Sequence, residues 1–403
     1  MNLRIAWRNV FRNRRRTAFS LAVIVVGTSV FLFVLGFIGE ALRSTQLTLA
    51  GETGAVQVAD ARLFENAADG YDYLIPPDLR AGVLAEIEGM HGVLGIGERL
   101  DFAGLVGDER GSTLILGRGL VPYTAVRGGS GLGDAAEALP EDDARQVVVG
   151  AALAEKLGVG IGDRINIATG TVSGNFNAAT VEIVGTARYS LEELEAQLGL
   201  FSIAFVQRLL KTDGIERLMI GLEDLDDADA FAESLQQRLD NAGIPLETRT
   251  WEELNASYAS LKSFYAAFSG LAGLAVFVLV FFSVVEVLTI SFLERTREIG
   301  TVRAFGTPRG LVFRTFLLEG LFLGAIGAVL GASVGTLITL LFNAIGFGWT
   351  PPGAATPQAL RLSLGASTVL MPLVTSLVAT MISAIYPALK SSRKRVVDAL
   401  RSV

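Results

Sequence analysis

Four long segments of the chain contain no charged residue. Each exceeds the roughly 20 helical residues that a bilayer core of about 30 Å requires. The segments are Thr17–Gly39 (23 residues), Phe264–Val285 (22), Gly320–Phe342 and Leu362–Leu389 (28). The pattern therefore predicts four transmembrane helices, which we place with their flanking residues at 17–42, 263–293, 313–342 and 362–389.

Residues 43–262, between the first two of these helices, follow a different pattern. Short segments alternate between apolar and polar residues as half-buried strands do, and segments with helical spacing lie between them. The predicted strands are Gly54–Ala59, Gly111–Leu116, Gln146–Val149, Arg164–Ala168, Thr180–Gly185 and Leu218–Leu222, and the predicted helices are Pro77–Gly89, Ala151–Leu157, Leu191–Leu198 and Asp226–Ala242. Interleaved strands and helices favour an α+β domain made of more than one small layered unit.

Two further segments of this domain bear on its organisation. Residues 157–163 are rich in glycine, but they lack the third glycine of a dinucleotide-binding loop and lead into a strand, so they predict a turn. Residues Trp251–Ala267 contain no Pro or Gly. They predict one continuous helix from the domain into the second membrane helix.

The distribution of charge predicts the orientation in the membrane. Residues 1–16 carry six Arg and no acid, residues 294–314 carry five Arg and two Glu, and residues 390–403 carry five basic residues and one Asp. The whole chain has a net charge of −7, so the remainder is strongly acidic. Because basic segments stay in the cytoplasm, both termini are predicted to be cytoplasmic, with 43–262 and the loop 343–361 outside. The predicted fold is four transmembrane α-helices with a large α+β extracytoplasmic domain inserted between helices 1 and 2.

The basic segment at the N-terminus has two interpretations. Its apolar and Arg residues fall on separate faces of a helix, which favours an amphipathic helix over 1–16 that lies on the cytoplasmic leaflet. The alternative is an Arg-rich topology signal without regular structure. The apolar segment that follows is too long for the core of a signal peptide, about 7–15 residues, and is interpreted as a retained helix.

The sequence excludes several kinds of chemistry. It has no Gly-x-x-x-x-Gly-Lys-Ser/Thr loop, so it does not hydrolyse ATP by that route. It has no cysteine, and its single histidine, His91, has no His or Cys partner for a metal site. The chain is therefore predicted to be no enzyme and to bind no metal or cofactor, and no nucleic-acid partner is expected.

Two acidic residues lie within or beside the predicted membrane helices. Glu286 is in helix 2 and Glu319 is near the start of helix 3. Acidic residues in a membrane are costly and often functional. A proton relay is one interpretation, and pairing with cytoplasmic Arg at the interface is the one we favour.

Helix 3 carries glycines at helical spacing. Such a row lets two helix backbones approach closely in a bilayer. The residues predicted to pack in this way are Gly320, Gly324, Gly327, Gly331 and Gly335.

The connection between helices 2 and 3, residues 294–312, combines alternating charges with a Gly-Thr-Pro break. Charge alternation alone would indicate a solvated loop. The segment 292–309, however, closely resembles the "ERxxEIGxxRAxG" element of the type VII ABC transporter permeases, the MacB/FtsX-like family. In that family the element forms a short cytoplasmic coupling helix that docks into the ATPase. The residues that the resemblance assigns to this role are Glu294, Arg295, Arg297, Glu298, Ile299, Gly300, Arg303, Ala304 and Gly306.

The resemblance extends over most of the chain. Residues 319–327 resemble the family's third membrane helix, Tyr386-Pro387-Ala388 with the basic tail resembles its C-terminus, and residues 147–185 resemble its outer domain. It implies a permease of the bacterial inner membrane that is driven by a separate ATPase dimer, which binds ATP and Mg²⁺. It also implies a dimer with a second copy or a paralogue, contact with membrane lipid, and motion that is relayed outward to move an amphiphile.

The large outer domain is similar to those of the lipoprotein-release and MacB-like branches. In lipoprotein-release permeases a protruding hairpin recruits a periplasmic carrier. The corresponding segment here, Thr169–Thr180, is short for such a hairpin. The sequence therefore leaves open whether a periplasmic carrier or adaptor is a partner of this chain. The alternative function is that of an FtsX-like regulator, which would activate a cell-wall hydrolase without transport.

Overall fold

A computed structural model of the chain describes residues 7–9, 12, 14–65, 70–108, 111–122, 144–188, 192–349 and 358–393. The chain divides into two compact units. We call Met1–Leu42, Leu261–Phe347 and Ala359–Val403 the membrane unit, and Arg43–Ser260 with Gly348–Gln358 the inserted unit. Most of the predicted N-terminal helix, the Pro-rich part of the loop 343–361 and the end of the basic tail lie outside the described residues.

Within the described residues, four helices are long and apolar enough to cross a membrane, which confirms the predicted fold class. A short helix lies between the second and third of them. The helices are α1 (Arg14–Thr53), α9 (Ala256–Glu294), the short α10 (Thr296–Ala304), α11 (Arg309–Ile345) and α12 (Ala366–Arg393). The helices α1 and α9 extend well beyond the uncharged segments, because helical hydrogen bonding continues through the polar residues at their ends.

The prediction of one continuous helix over 251–267 is wrong, because one residue, Asn255, interrupts the helix. A short helix, α8 (Trp251–Leu254), ends at Asn255, whose φ of −118° and ψ of 69° are not helical. The Asn255 side chain donates to the carbonyl oxygen of Trp251 at 2.7 Å, and this local bond competes with helical pairing. From Ala256 onward the helix α9 is unbroken for 39 residues.

The glycines of α11 lie at close helix contacts. A Cβ added at Gly320 would come 2.5 Å from the Cβ of Ala384, and one at Gly324 would collide with Thr380, both on α12. A Cβ at Gly327 would come 2.7 Å from Ile24 on α1, and Gly331 and Gly335 also face α1. The row therefore brings α11 against two helices, with α12 near one end and α1 near the other.

Hydroxyl side chains add polar contacts between these helices. The hydroxyls of Thr28 and Ser376 are 2.7 Å apart, which joins α1 to α12. Ser29 donates to the carbonyl oxygen of Gly331 at 2.9 Å, which joins α1 to α11. Such bonds stabilise helix association in a bilayer, where apolar burial contributes little.

In the part of the inserted unit that the structure describes, nine strands form one hydrogen-bonded sheet. The strands are β1 (Val56–Ala59), β2 (Val93–Asp108), β3 (Gly111–Leu120), β4 (Gln146–Gly150), β5 (Arg164–Gly170), β6 (Phe176–Ala187), β7 (Leu198–Ser202), β8 (Arg217–Leu222) and β9 (Glu247–Thr250). Their order is β3-β7-β4-β6-β5-β2-β8-β1-β9, and β2 also pairs with β3. The pairing of β2 with both β3 and β5 closes a ring of six strands, and β8, β1 and β9 extend from it.

This topology corrects the prediction of more than one layered unit. The 16 residues of β2 belong to both parts, since Val93–Arg99 pair with β8 and Gly104–Gly107 pair with β5. The close approach of β5 requires a glycine in β2, because a Cβ at Gly104 would be 2.6 Å from the carbonyl oxygen of Ala168. The two parts are thus joined by a shared strand.

Helices cover both parts of the sheet. In chain order within this unit they are α2 (Ala61–Phe64), α3 (Pro77–Ile87), α4 (Ala151–Leu157), α5 (Glu192–Glu195), α6 (Ile203–Leu210), α7 (Ala228–Ala242) and α8. The amphipathic α6 packs on the ring and buries Phe205 and Val206, and Phe201, Phe102 and Phe205 form an aromatic cluster in the ring's interior. Residues 158–163 form the predicted turn, which Gly158 begins in the left-handed conformation with φ 66°.

Candidate coupling site

The helix α10 is a nine-residue element between two long helices. Arg295 separates it from α9 with a non-helical φ of −106° and ψ of 8°. At its other end Gly306 has φ +93°, a conformation that side chains other than glycine rarely adopt, and Pro308 precedes α11. Glu298 in its first turn and Arg303 in its last complement the helix dipole. The sequence thus makes α10 a separate short segment.

One face of α10 packs against the membrane unit. Thr296 and Gly300, one turn apart, are buried, and Ile299 is half-buried. Ile299 packs on an apolar cluster formed by Phe292, Phe316 and Ala388, which belong to α9, α11 and α12. Of the predicted coupling residues, Arg295, Ile299 and Gly300 therefore face the helices rather than solvent.

The opposite face of α10 is exposed. It carries the predicted residues Arg297, Glu298 and Ala304, whereas Arg303 is half-buried. The predicted residues Glu294 and Gly306, which flank α10, are exposed as well.

Two large apolar side chains on this exposed face were not among the predicted site residues. Phe305 is 87% exposed and Val302 is 52% exposed. The signal was present in the sequence, because Phe305 stands among polar residues at the end of a charged segment. Exposed apolar side chains beside charges are typical of a protein-binding surface. We call Arg297, Val302 and Phe305 the docking face.

The predicted membrane acid Glu319 is buried and bound by two partners. Its Oε1 accepts a hydrogen bond from Arg295 Nη1 at 3.0 Å and another from Asn9 Nδ2 at 2.6 Å. Only 4% of the Glu319 side chain is exposed. These contacts match the interpretation in which Glu319 pairs with an Arg side chain. Because a buried charge is costly unless it is paired, the contact holds Arg295, at the start of α10, against α11.

The N-terminal segment forms a second link to α10. Arg12 donates from Nη1 and Nη2 to the two carboxylate oxygens of Glu298 at 2.9 and 2.7 Å. The Glu298 Oε2 also lies 3.7 Å from Arg295 Nε. The Arg12 hydrogen bond lowers the pKa of Glu298, and Arg12 and Glu298 are 58% and 51% exposed. This pair is open to solvent, so it contributes little to stability and holds the segment in register.

Aromatic packing supports the same link. The rings of Trp7 and Phe322 meet edge to face with centroids 5.5 Å apart. Trp7, Asn9 and Arg12 therefore contact both α10 and α11. Sequence reasoning placed these residues on a separate interfacial helix and did not predict the contacts.

Glu286 does not join this network. It lies on an exposed face of α9, about two turns before Glu294. Within the described part of the chain, no group of three or more His, Cys, Asp or Glu side chains is placed to hold a metal ion. The side chains around α10 thus form an exposed surface on one face and an ion-paired, apolar contact with the membrane helices on the other.

Comparison with known families agrees with this fold. The profile of the MacB-like periplasmic core domain matches residues 17–238, more than half of the chain. The profile of the FtsX-like permease C-terminal domain matches residues 270–396, which include α10. Four membrane helices with such an inserted domain define an ABC transporter permease. The chain belongs to the MacB/FtsX-like family of these permeases, as the sequence predicted.

Individual relatives are distant. The lipoprotein-releasing system transmembrane protein LolC of Xylella fastidiosa (strain 9a5c) is 23% identical over 269 residues, which are 63% of this chain and 64% of LolC. The ABC transporter permease YknZ of Bacillus subtilis (strain 168) is 26% identical over 231 residues, 56% of this chain and 55% of YknZ. The chain thus spans less than two thirds of the length of the curated relatives it matches.

A solved structure is also similar in part. The periplasmic region of MacB from Actinobacillus actinomycetemcomitans aligns with 9% identity and a TM-score of 0.36, covering 51% of this chain and 94% of that region. The family assignment rests on the two profiles.

Proposed function

We propose that this permease couples ATP hydrolysis in a separate ATPase dimer to motion of the inserted unit, and so moves lipoproteins or other amphiphiles out of the bacterial inner membrane. The single observation that carries the proposal is α10: its exposed face presents apolar side chains beside charged ones, and its other face packs on the membrane helices. ATP and Mg²⁺ would be held by the partner and not by this chain.

The docking face would receive the ATPase. Phe305 has the exposure and size of an interface anchor, and such anchors commonly contribute 2 kcal/mol or more, as an order-of-magnitude figure. Arg297 would supply charge at its rim. A dimer of ATPase subunits requires two docking faces, so the permease would act with a second copy or a paralogue.

Displacement of α10 would pass to the membrane helices through packed contacts. The buried pair Arg295–Glu319 and the Ile299 cluster tie α10 to α11. The glycine contacts tie α11 to α12 and α1. The helix α1 continues to Thr53, and α9 begins at Ala256, so two unbroken helices connect the membrane segments to residues of the inserted unit.

The orientation and cargo rest on separate grounds. The basic segments favour cytoplasmic termini and a cytoplasmic α10, with the inserted unit in the periplasm. The family description of the matched domain as periplasmic supports the same orientation. A lipoprotein cargo is supported by the LolC relatives alone, and the wider class of amphiphiles includes it.

Reconstitution with the partner ATPase tests the proposal. Lipid-modified protein released from proteoliposomes on addition of ATP would support transport. Charge reversal by Glu298→Lys or Arg303→Glu is expected to leave insertion intact and to abolish ATP-dependent release. Release that is unchanged in both variants would refute the coupling role of α10, and activation of a cell-wall hydrolase without any released cargo would favour the regulator instead.

A further inference from the structure

The first turn of α9 belongs to the inserted unit and is held there by a short joint, which we define as Trp251, Asn255 and Tyr258. Trp251 lies in α8 and Tyr258 in α9, and their side chains are 3% and 2% exposed. The two rings meet edge to face with centroids 4.8 Å apart. This buried ring contact connects α8 with the start of α9.

The ring contact depends on the interruption of the helix at Asn255. In an unbroken helix, two residues seven positions apart lie about 10.5 Å apart along the axis, which is too far for such a contact. The non-helical φ of −118° and ψ of 69° at Asn255 bring the two rings together. The Asn255 side chain donates to the carbonyl oxygen of Trp251 at 2.7 Å, and the backbone N–H of Tyr258 donates to the carbonyl oxygen of Asn255 at 2.8 Å. Both sides of the interruption are therefore bonded to Asn255.

The α8 side of the joint is fixed to the sheet. The backbone N–H of Trp251 donates to the carbonyl oxygen of Ala55, just before β1, at 3.0 Å. Thr250, the last residue of β9, pairs with Val56 of β1 and forms a capping box with Glu253 of α8. Because α8 is bonded to two neighbouring strands, Trp251 moves with the sheet.

The α9 side of the joint has one buried anchor. Tyr258 is the only buried residue between Trp251 and Val276, a stretch that the structure describes in full. The helix from Tyr258 to Val276 is about 27 Å long. Its other side chains are exposed or half-buried. Tyr258 is thus the point in this stretch at which α9 is packed most firmly.

We propose that this joint is where α9 displaces the inserted unit, with Tyr258 as the positioning residue that holds the angle between α9 and α8. The inference rests on the proposed function and locates the transfer of motion at one side chain. A displacement of α9 passes from Tyr258 to Trp251, and from there to β1 and β9, because closely packed side chains transmit strain. Without the ring of Tyr258, α9 pivots about Asn255 and the displacement is lost.

Distances between two spin labels test the joint in the full chain without any ATPase. The chain has no cysteine, so Gln237→Cys on α7 and Ala267→Cys on α9, both at exposed positions, carry the only labels. The protein is placed in phosphatidylcholine nanodiscs and diluted with unlabelled copies, so that double electron–electron resonance reports distances within one chain. Tyr258→Ala is expected to double the width of the distance distribution, because α9 then pivots at Asn255.

Three further variants make the measurement specific. Tyr258→Phe keeps the ring and should leave the width unchanged. The matched control is Phe264→Ala, which removes a ring that is 63% exposed on the same helix and should also leave the width unchanged. Asn255→Leu removes the amide bond to Trp251 and introduces a good helix former, so α8 and α9 should merge and the mean distance should shift. Because Asn255 is half-buried, this variant keeps the test valid if Tyr258→Ala fails to fold.

Reconstitution with the partner ATPase adds a readout of coupling. Tyr258→Ala should bind the ATPase and allow ATP hydrolysis as the unmodified protein does, but it should lose ATP-dependent release of cargo. Tyr258→Phe should restore release. A merely structural role of Tyr258 would lower binding, hydrolysis and release together.

Several results would overturn the inference. An unchanged width in Tyr258→Ala, equal broadening in Tyr258→Phe or Phe264→Ala, or an unchanged mean distance in Asn255→Leu would each do so. Release that persists in Tyr258→Ala while the distribution broadens would also overturn it, and would leave the proposed function intact. The expected widths together with no release by the unmodified protein would support the joint and refute only the transport role.

Discussion

The buried ion pair between Arg295 and Glu319 provides the sharpest prediction about the coupling site. Arg295→Met removes the guanidinium that is 3.0 Å from Glu319 Oε1. The carboxylate, of which 4% is exposed, then stays buried without its ion-pair partner, although Asn9 still donates to the same oxygen. Breaking a buried pair on one side costs about 3–5 kcal/mol. For a unit of this size each kcal/mol shifts the Tm by about 2–4 °C, so the Tm is expected to fall by roughly 6–20 °C.

Two further variants make the test specific. Arg295→Met combined with Glu319→Leu removes both charges, so its Tm should return close to that of the unmodified protein. Arg12→Met breaks the exposed pair with Glu298 and should leave the Tm unchanged, because both of its side chains are more than half exposed. The Tm is read from intrinsic fluorescence in detergent, since the chain has three Trp.

The outcome also separates stability from coupling. The double variant should fold and bind the ATPase but transmit its motion poorly, because α10 would have lost its polar tie to α11. If Arg295→Met had the same Tm as Arg12→Met, or if the double variant were as unstable as the single one, the ion pair would not hold α10 and our reasoning would be wrong.

Three other predictions follow from the helix packing, the docking face and the burial of Tyr73. Gly327→Val should reduce the free energy of unfolding by about 1–3 kcal/mol and so lower the Tm, because its Cβ would lie 2.7 Å from the Ile24 side chain of α1. The control is Gly310→Ala on the same helix, where an added Cβ meets nothing within 4 Å and the Tm should not fall. Phe305→Ala should weaken ATPase binding about 30-fold in a pull-down titration, for a loss of about 2 kcal/mol, and Ile345→Ala, an exposed residue at the far end of α11, should not. Burial raises the pKa of Tyr73 to about 12, so absorbance at 295 nm should show a tyrosine that ionises near that pH, and Tyr73→Phe should remove it. Because the pKa is higher in the folded protein than in the unfolded chain, the stability that depends on neutral Tyr73 is full below about pH 10 and is lost as the pH rises toward 12.

The membrane helices and the family could be predicted from the sequence because the bilayer imposes a strong rule. Each span must be helical and nearly free of charge for about 20 residues, so the four segments were visible without tertiary information. The family resemblance rested on a charged motif at a helix end, a local pattern of the same kind. Both predictions were confirmed by the structure and the family profiles.

The sheet was less predictable, because strand pairing is not local. The strand β2 was missed since four glycines, at positions 95, 97, 104 and 107, interrupt its apolar alternation. Those at 104 and 107 allow other backbone to approach, which only the folded sheet shows. The short strands β7 and β9 were also missed, as was α6, which is only eight residues long.

The candidate coupling site is only partly visible in the sequence. The motif identified α10, but it did not show which residues face outward, because that depends on the apolar cluster beneath Ile299. Neither could the sequence link Asn9 with Glu319 or Arg12 with Glu298, since the partners are separated by 310 and 286 positions. Charges far apart in sequence reveal their partners only after folding.

The most direct test of the central claim is the accessibility of α10 from the two sides of the membrane. The chain has no cysteine, so Val302→Cys introduces a single thiol on the docking face. In right-side-out vesicles a membrane-impermeant maleimide should label Leu114→Cys in the inserted unit and leave Val302→Cys unlabelled. After permeabilisation Val302→Cys should react, and bound ATPase should protect it. Labelling of Val302→Cys in sealed vesicles, or no protection by the ATPase, would contradict the account.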